Sequence, residues 1–166
     1  MKIIDVDADM DMGPIDVELI GAFESELGIQ FPKEYKDLMT KHNPLWPENR
    51  NFDFRFKGQD DVRDVTFFGY GKHLKDYERI NQFQDHDIYG RDGVVVIGES
   101  ANGDYICFDY RSNIESKNPP VVLMLHDYYD EDEKMFVCPV TDTFEEFIDS
   151  LYKLVSRPGI NGVRLD

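Results

Sequence analysis

The sequence predicts an α+β domain in which two N-terminal helices and one C-terminal helix pack on a mainly antiparallel sheet of about five or six strands. Two amphipathic segments come first, successive β-like runs with short connections follow, and one amphipathic segment comes last. Strands that follow one another without intervening helices favour antiparallel pairing over βαβ units. The 166 residues suffice for one domain with a sizeable core.

The first two helices are joined by a tight corner. Apolar residues recur at helical spacing over 15–27, and Gly28 stands where a helix ends. Phe31-Pro32 opens the second helix, because proline is tolerated in a first turn, and Asn43-Pro44 ends it.

The central part of the chain is rich in strand signals. FDFRF (52–56) alternates aromatic and charged residues, which predicts a half-buried strand, and DVTFFGYG (64–71) is a second β-like stretch. Two apolar runs, 93–98 and 104–110, flank Asn102-Gly103, a pair that suits the two positive-φ positions of a tight hairpin turn.

Two more strands and a helix complete the pattern. PVVLMLH (120–126) and KMFVCPV (134–140) are apolar β-like runs. Asp142 is placed to cap the last helix, with Glu145 three residues later as in a capping box. The apolar stripe of this helix consists of Phe144, Phe147, Ile148, Leu151 and Leu154. The predicted organisation is an acidic leader (1–14), a single domain (15–156) and a short C-terminal tail (157–166).

The formal net charge of −16 narrows the range of partners. It lies well beyond the magnitude of about 2–8 that solubility asks of a small domain. Such a field repels nucleic acid and anionic membrane surfaces and attracts basic proteins, including proteins that themselves bind nucleic acid.

The cysteines and the hydrophobic segments predict a cytoplasmic protein. Cys107 and Cys138 lie in apolar β-like runs, which indicates two buried thiols in a reducing compartment rather than a disulfide framework. The sequence shows no signal peptide and no stretch able to span a bilayer.

The leader contains a partial cation-binding pattern. Asp7, Asp9, Asp11 and Glu18 match positions one, three, five and twelve of a calcium loop. Position six is Met12 instead of the glycine that the sharp turn requires. A solvated acidic leader is favoured, with calcium binding as the alternative.

Catalytic motifs are missing from the sequence. It contains no G-x-S-x-G, no H-E-x-x-H, no C-x-x-C and no Walker loop, so we expect no enzyme activity and no cofactor or metal. Asp104, directly after the Asn-Gly turn, is expected to accept hydrogen bonds from turn N–H groups rather than to bind a ligand.

The connection HDYYDEDE (126–133) is the main candidate for partner binding. Tyrosines among carboxylates suit the recognition of a basic protein surface, whereas the alternative is a solvated turn. The candidate residues here are Asp127, Tyr128, Tyr129, Asp130, Glu131, Asp132 and Glu133. Trp46 and Tyr70, in a proline-rich loop and a glycine-flanked stretch, form a second candidate surface.

Several segments occur together in a recognisable order. They are ELGIQFPKEYKDLMTKHN, FFG, NGDYICFD, a hydrophobic strand and TDTFEEFIDSL. Over roughly residues 15–154 the chain resembles the SUKH superfamily, the fold of fungal cell-wall-assembly regulators and of many bacterial immunity proteins. The resemblance implies a non-enzymatic binding role and transfers no catalytic residue. Its bacterial members bind and neutralise a toxin encoded beside them, and many of these toxins are nucleases.

The charge and the resemblance together predict that the partner is a basic protein toxin domain, a nuclease. They predict no binding to nucleic acid or to membranes. Two alternatives stay open. One is a regulatory protein-interaction scaffold in cell-envelope or signalling physiology without a toxin partner. The other is a small-ligand or metal-binding domain that uses the acidic leader.

Overall fold

The computed structural model describes residues 4–5, 13–88, 90–157 and 160–165. It confirms the α+β class, with two N-terminal helices, one helix towards the C-terminus and a central antiparallel sheet. Asp7, Asp9 and Asp11 of the predicted cation loop lie outside the described residues.

The helices form largely where the sequence predicts them. Helix α1 (Val17–Leu27) begins after the Asp16 cap, whose carboxylate accepts from the Glu18 N–H, and ends at Gly28 with φ 70°. Helix α2 spans Lys33–Lys41 and follows Pro32. Helix α3 (Phe144–Ser150) is capped by Thr143, whose hydroxyl accepts from the Glu146 N–H, rather than by the predicted Asp142.

Nine strands form three antiparallel groups within the described residues. The central sheet is a meander of β3 to β7 in chain order, and hairpins β1–β2 and β8–β9 lie outside it. The strands are β1 (Asn51–Phe56), β2 (Gln59–Asp64), β3 (Thr66–Phe67), β4 (Val94–Glu99), β5 (Tyr105–Asp109), β6 (Val121–Tyr129), β7 (Met135–Thr141), β8 (Lys153–Arg157) and β9 (Ile160–Leu165).

The turn after β4 and the place of Leu154 differ from the prediction. Only Gly103 of the Asn102-Gly103 pair has a positive φ, 97°, so the β4–β5 turn is not the two-residue type expected. Strand β9 lies within the short C-terminal tail (157–166) of the predicted organisation. Leu154, predicted on the stripe of the last helix, lies in β8 and is 43% exposed.

The core joins the helices to one face of the central sheet. Tyr35 of α2 is fully buried and its ring lies 4.9 Å from Phe31, 5.3 Å from Phe108 and 5.5 Å from Phe144. Phe147 of α3 lies 5.1 Å from Phe52 of β1. Phe52 and Phe54 of hairpin β1–β2 thereby belong to the same core, and Phe56 at its tip packs against that core.

Candidate protein-binding surface

The tip of hairpin β1–β2 supplies one side of the candidate surface. Lys57 and Gly58, the two residues between the strands, have φ values of 51° and 76°. This pattern is that of a two-residue hairpin turn whose twist matches its strands. The turn leaves Phe56 half-buried and Lys57 exposed at the end of the hairpin.

A bulge in strand β6 supplies the opposite side. Leu125 pairs with Phe136 and Tyr129 pairs with Met135, so the three residues 126–128 of β6 have no opposing residues in β7. Bulges of this kind bend a strand and redirect its side chains. Here the bulge brings the ring of Tyr128 to 4.7 Å from the ring of Phe56.

The two sides enclose a shallow aromatic groove of about 680 Å³. Phe56 contacts both Tyr128 and Phe136, whose ring centroid is 5.4 Å away. Tyr128, Tyr129 and Phe136 are 45%, 62% and 39% exposed, which is unusual for three large rings on one surface. We call this surface the aromatic groove; it is lined by Phe56, Lys57, Tyr128, Tyr129, Asp130, Glu131, Asp132 and Phe136.

The carboxylates beside the groove divide into two kinds. Asp130 organises the turn: its Oδ1 accepts from the N–H groups of Asp132 (2.9 Å) and Lys134 (3.1 Å), and its Oδ2 pairs with Arg91. The hydrogen bond from Arg91 is the main reason that the pKa of Asp130 is lowered. Asp130 therefore stabilises the turn in addition to lining the groove.

The remaining acidic side chains of the turn are available to a partner. Glu131, Asp132 and Glu133 are exposed and form no ion pair with any cation that the structure describes. Asp127 is also exposed, and its carboxylate lies 3.1 Å from His126 Nε2. The groove therefore has an aromatic floor and a negatively charged rim.

Asp104 fixes the two sides of the groove relative to each other. It is 2% exposed, and its Oδ2 accepts from Arg63 Nε of β2 at 2.8 Å and from Asn102 Nδ2 at 3.1 Å. Its Oδ1 accepts from the backbone N–H and the ring Nδ1 of His126, at 3.0 and 2.5 Å. Asp104 thus links hairpin β1–β2 to the β6 bulge, a longer-range role than the expected contact with turn N–H groups.

The environment of Asp104 also sets its protonation. Burial by itself would raise the pKa of this carboxyl, but the hydrogen bonds from Arg63, His126 and Asn102 outweigh burial and hold the pKa below its usual range. The ionised form is therefore the one that the fold stabilises.

The second predicted surface is not assembled. Tyr70 is 4% exposed, and its hydroxyl lies 2.8 Å from that of Tyr35 in the core. Its backbone is held by Asn43, whose side chain both accepts from the Tyr70 N–H (2.6 Å) and donates to its carbonyl (2.8 Å). Trp46 is half-buried in a small depression beside Phe67. Tyr70 is therefore a core residue, not a surface one.

The cysteines have the environment of buried structural residues. Cys107 and Cys138 are free thiols in the core. Burial raises the pKa of Cys107 well above its ordinary value and raises that of Cys138 to about 11, so both favour the thiol form at neutral pH. Within the described parts of the chain, no cluster of His, Cys, Asp or Glu is arranged to hold a metal ion. No helix of those parts is long and apolar enough to cross a membrane.

A comparison with known protein families identifies one family that matches most of the chain. The SMI1/KNR4 family (SUKH-1) matches residues 14–150, which include all three helices and strands β1 to β7. The chain belongs to this family. For this SUKH-1 protein, comparisons with curated proteins and with solved structures gave no match.

The groove of this SUKH-1 protein includes three residues that the sequence patterns did not single out. Phe56 ends β1, Lys57 follows it, and Phe136 is an exposed residue of β7. The alternation in KMFVCPV places Phe136 and Cys138 on the same face of the strand. It does not indicate that Cys138 is buried while Phe136 is exposed. Only the β6 bulge and the β1–β2 turn bring these residues to the predicted tyrosines.

Proposed function

We propose that this SUKH-1 protein is an immunity protein that binds and neutralises a basic toxin domain, a nuclease. The aromatic groove and its acidic rim form the surface that contacts the toxin domain. The observation that carries the proposal is the placement of exposed tyrosine and phenylalanine rings beside carboxylates that pair with no cation among the described residues. Neutralisation in this proposal is by binding alone and requires no catalytic residue.

The groove has the composition of an energetically important interface centre. Tyrosine is enriched among the residues that dominate binding energy, because its ring buries a large area at a low entropy cost. Tyr128 and Tyr129 offer such rings. Unpaired carboxylates around them would attract and orient a positively charged partner.

A nuclease is the partner class that best fits the charge. A domain that binds phosphates presents lysine and arginine side chains in its cleft. A chain with a net charge of −16 is attracted to that cleft over long distances and excludes nucleic acid from it once bound. Membership of a family with toxin-binding members supports the same proposal.

The proposal is tested with the toxin domain encoded beside the gene of this protein. We expect co-expression to rescue growth of cells that produce the toxin domain, and the two purified proteins to form a complex that blocks its nuclease activity. Growth arrest despite normal expression of this protein, together with no complex by size-exclusion chromatography, would contradict the proposal and favour a regulatory scaffold.

A charge variant tests whether the acidic rim speeds association with the toxin domain. In the triple variant Glu131→Gln, Asp132→Asn and Glu133→Gln, Asp130 and its pairing with Arg91 stay intact. One unit-charge pair separated by about 10 Å of water contributes about 0.4 kcal/mol, so three lost carboxylates remove about 1.2 kcal/mol of attraction. We therefore expect about eightfold slower association in low salt.

The matched control removes three exposed carboxylates from α1, α3 and the connection before β6, by changing Glu26, Glu146 and Glu115 to glutamine. Both triple variants carry the same net charge, so a local effect of the rim appears as a difference between them. At physiological salt the difference should fall below about twofold, because the Debye length is then about 8 Å. Equal association rates for the two variants at low salt would place the interface elsewhere.

A further inference from the structure

Lys57 occupies an unusual place for a cation in an acidic protein. Its Nζ lies 5.2 Å from the ring centroid of Phe56 and 5.1 Å from that of Tyr128. It forms no ion pair with any carboxylate that the structure describes, although the acidic turn borders the same groove. The ammonium group therefore rests on two aromatic rings, in the arrangement of a cation–π contact.

The groove thus already binds one cation, supplied by its own chain. Ring faces attract a positive charge regardless of which molecule carries it. We propose that the pair Phe56 and Tyr128 is a cation-recognition site, that Lys57 occupies it in the free protein, and that a basic partner displaces Lys57 with one of its own arginine side chains. The partner is that of the proposed function, but the site's chemistry is argued from these contacts alone.

Arginine suits this exchange better than lysine does. Its planar guanidinium stacks on aromatic rings and can donate two parallel hydrogen bonds to one carboxylate. Glu131 and Asp132 line the same groove and have no cation of their own among the described residues. A partner's arginine can therefore contact rings and a rim carboxylate together, whereas Lys57 contacts rings without such a carboxylate.

The position of Lys57 permits its release. The residue is exposed at the hairpin turn, and its stem is long and flexible, so the ammonium can move into water without a change in the strands. An exposed cation–π contact is weak, and its loss leaves Lys57 hydrated. Lys57 therefore competes with the partner's cation but does not block it.

The opposite role for Lys57, as a brace that keeps the rings in place, predicts the opposite result. If Lys57 competes, its removal strengthens cation binding; if it braces the groove, its removal weakens binding. The suitable change is Lys57→Asn, because asparagine tolerates the left-handed φ of 51° at this position.

The experiment titrates the full-length protein with a tetra-arginine peptide and, as the uncharged counterpart, a tetra-citrulline peptide. Binding is followed by calorimetry and by the ring proton signals of Phe56 and Tyr128. We expect tetra-arginine to shift these signals and tetra-citrulline to leave them unchanged. We expect Lys57→Asn to bind tetra-arginine about two- to fivefold more tightly, the range of an exposed cation–π contact.

Two further variants separate the exchange from general electrostatics. Lys117→Asn removes one exposed positive charge from the loop beside α1, so it matches Lys57→Asn in net charge. It should tighten binding much less than Lys57→Asn does. Tyr128→Leu keeps an apolar side chain without the ring and should weaken binding by about two- to fivefold.

The proposal is overturned if Lys57→Asn binds tetra-arginine no more tightly than Lys117→Asn does, or if the ring signals do not move. Binding of the toxin domain is measured with the same variants. If the peptide results are as expected but the toxin domain does not bind, the proposed function is refuted and the cation exchange is not. Toxin binding that responds equally to the Lys57 and Lys117 changes refutes the exchange alone.

Discussion

Replacing Asp104 with asparagine would remove the charge that joins hairpin β1–β2 to the β6 bulge while keeping the size of the side chain. Each carboxylate oxygen of Asp104 accepts two hydrogen bonds: Oδ2 from Arg63 and Asn102, and Oδ1 from the backbone and ring of His126. An asparagine amide has one oxygen and one NH2 group. In either orientation the NH2 group takes the place of one carboxylate oxygen. The two donors that bonded to that oxygen are then left without an acceptor.

The expected loss of stability follows from the donors that are left without an acceptor. A hydrogen bond to a charged group contributes about 1.5–3 kcal/mol and a neutral one about 0.5–1.5 kcal/mol. Loss of one bond of each kind lowers the free energy of unfolding of Asp104→Asn by about 2–4 kcal/mol. For a domain of this size the melting temperature should fall by about 4–16 °C.

Urea denaturation at pH 7, followed by tryptophan fluorescence, measures the effect as a lower midpoint at unchanged slope. The matched control is Asp109→Asn in the same strand. The Asp109 carboxylate accepts from Arg111, two residues away, and anchors no second strand through that contact. We expect Asp109→Asn to lower the free energy of unfolding by less than Asp104→Asn does. Equal losses of stability, or a loss below about 0.5 kcal/mol for Asp104→Asn, would refute the anchoring role.

The same variant has a defined pH dependence. Because the folded-state pKa of Asp104 is lowered, its contribution to stability is present above the unfolded value of about 3.9 and is lost as pH falls through the folded value. The difference in unfolding free energy between wild type and Asp104→Asn should therefore be present above about pH 5 and shrink below about pH 4. A difference that grows on acidification would contradict the assigned direction.

Two other changes separate stability from binding. Phe147→Ala should destabilise the protein by about 3–5 kcal/mol, because Phe147 is fully buried against Phe52, and an unchanged thermal melt would show that α3 does not pack on β1. Tyr129→Ala should leave the melt nearly unchanged, since the residue is 62% exposed, but should speed dissociation of the toxin domain in surface plasmon resonance. Wild-type dissociation would remove Tyr129 from the interface.

Elements with a strong apolar period were predictable from the sequence. Helix α1 and its Gly28 end, the β4 and β5 strands and the stripe around Phe147 all follow from residues whose burial depends on local spacing. The turn type at Asn102-Gly103 was predicted wrongly because an Asn-Gly pair is typical of a two-residue turn. The hydrogen bond from the Ser100 N–H to the Asp104 carbonyl (2.8 Å) closes a longer turn.

Elements stabilised by distant partners were not predictable. Strand β2, QDDVRD, has little apolar pattern; it forms because β1 pairs with it and Arg63 reaches Asp104, 41 residues away. The tyrosines of the acidic turn were visible as a cluster, but Phe56 and Phe136 join them only through the β6 bulge. The burial of Tyr70 was not predictable from its neighbours in the sequence, because its hydroxyl partner Tyr35 lies 35 residues away.

The anchoring of hairpin β1–β2 bears directly on how the aromatic groove would bind. At its root, Asn51 exchanges two backbone hydrogen bonds with Tyr152, both 2.9 Å, and Arg63 is held by the buried Asp104. At its tip, the contacts to β6 and β7 are aromatic and include the Lys57 ammonium over the ring of Tyr128. A partner that replaces the Lys57 ammonium therefore meets a backbone already fixed at its root, so little ordering of strands accompanies binding. Affinity would then depend on ring contacts and rim charges, and Asp104→Asn should weaken it by loosening the hairpin although Asp104 never touches the partner.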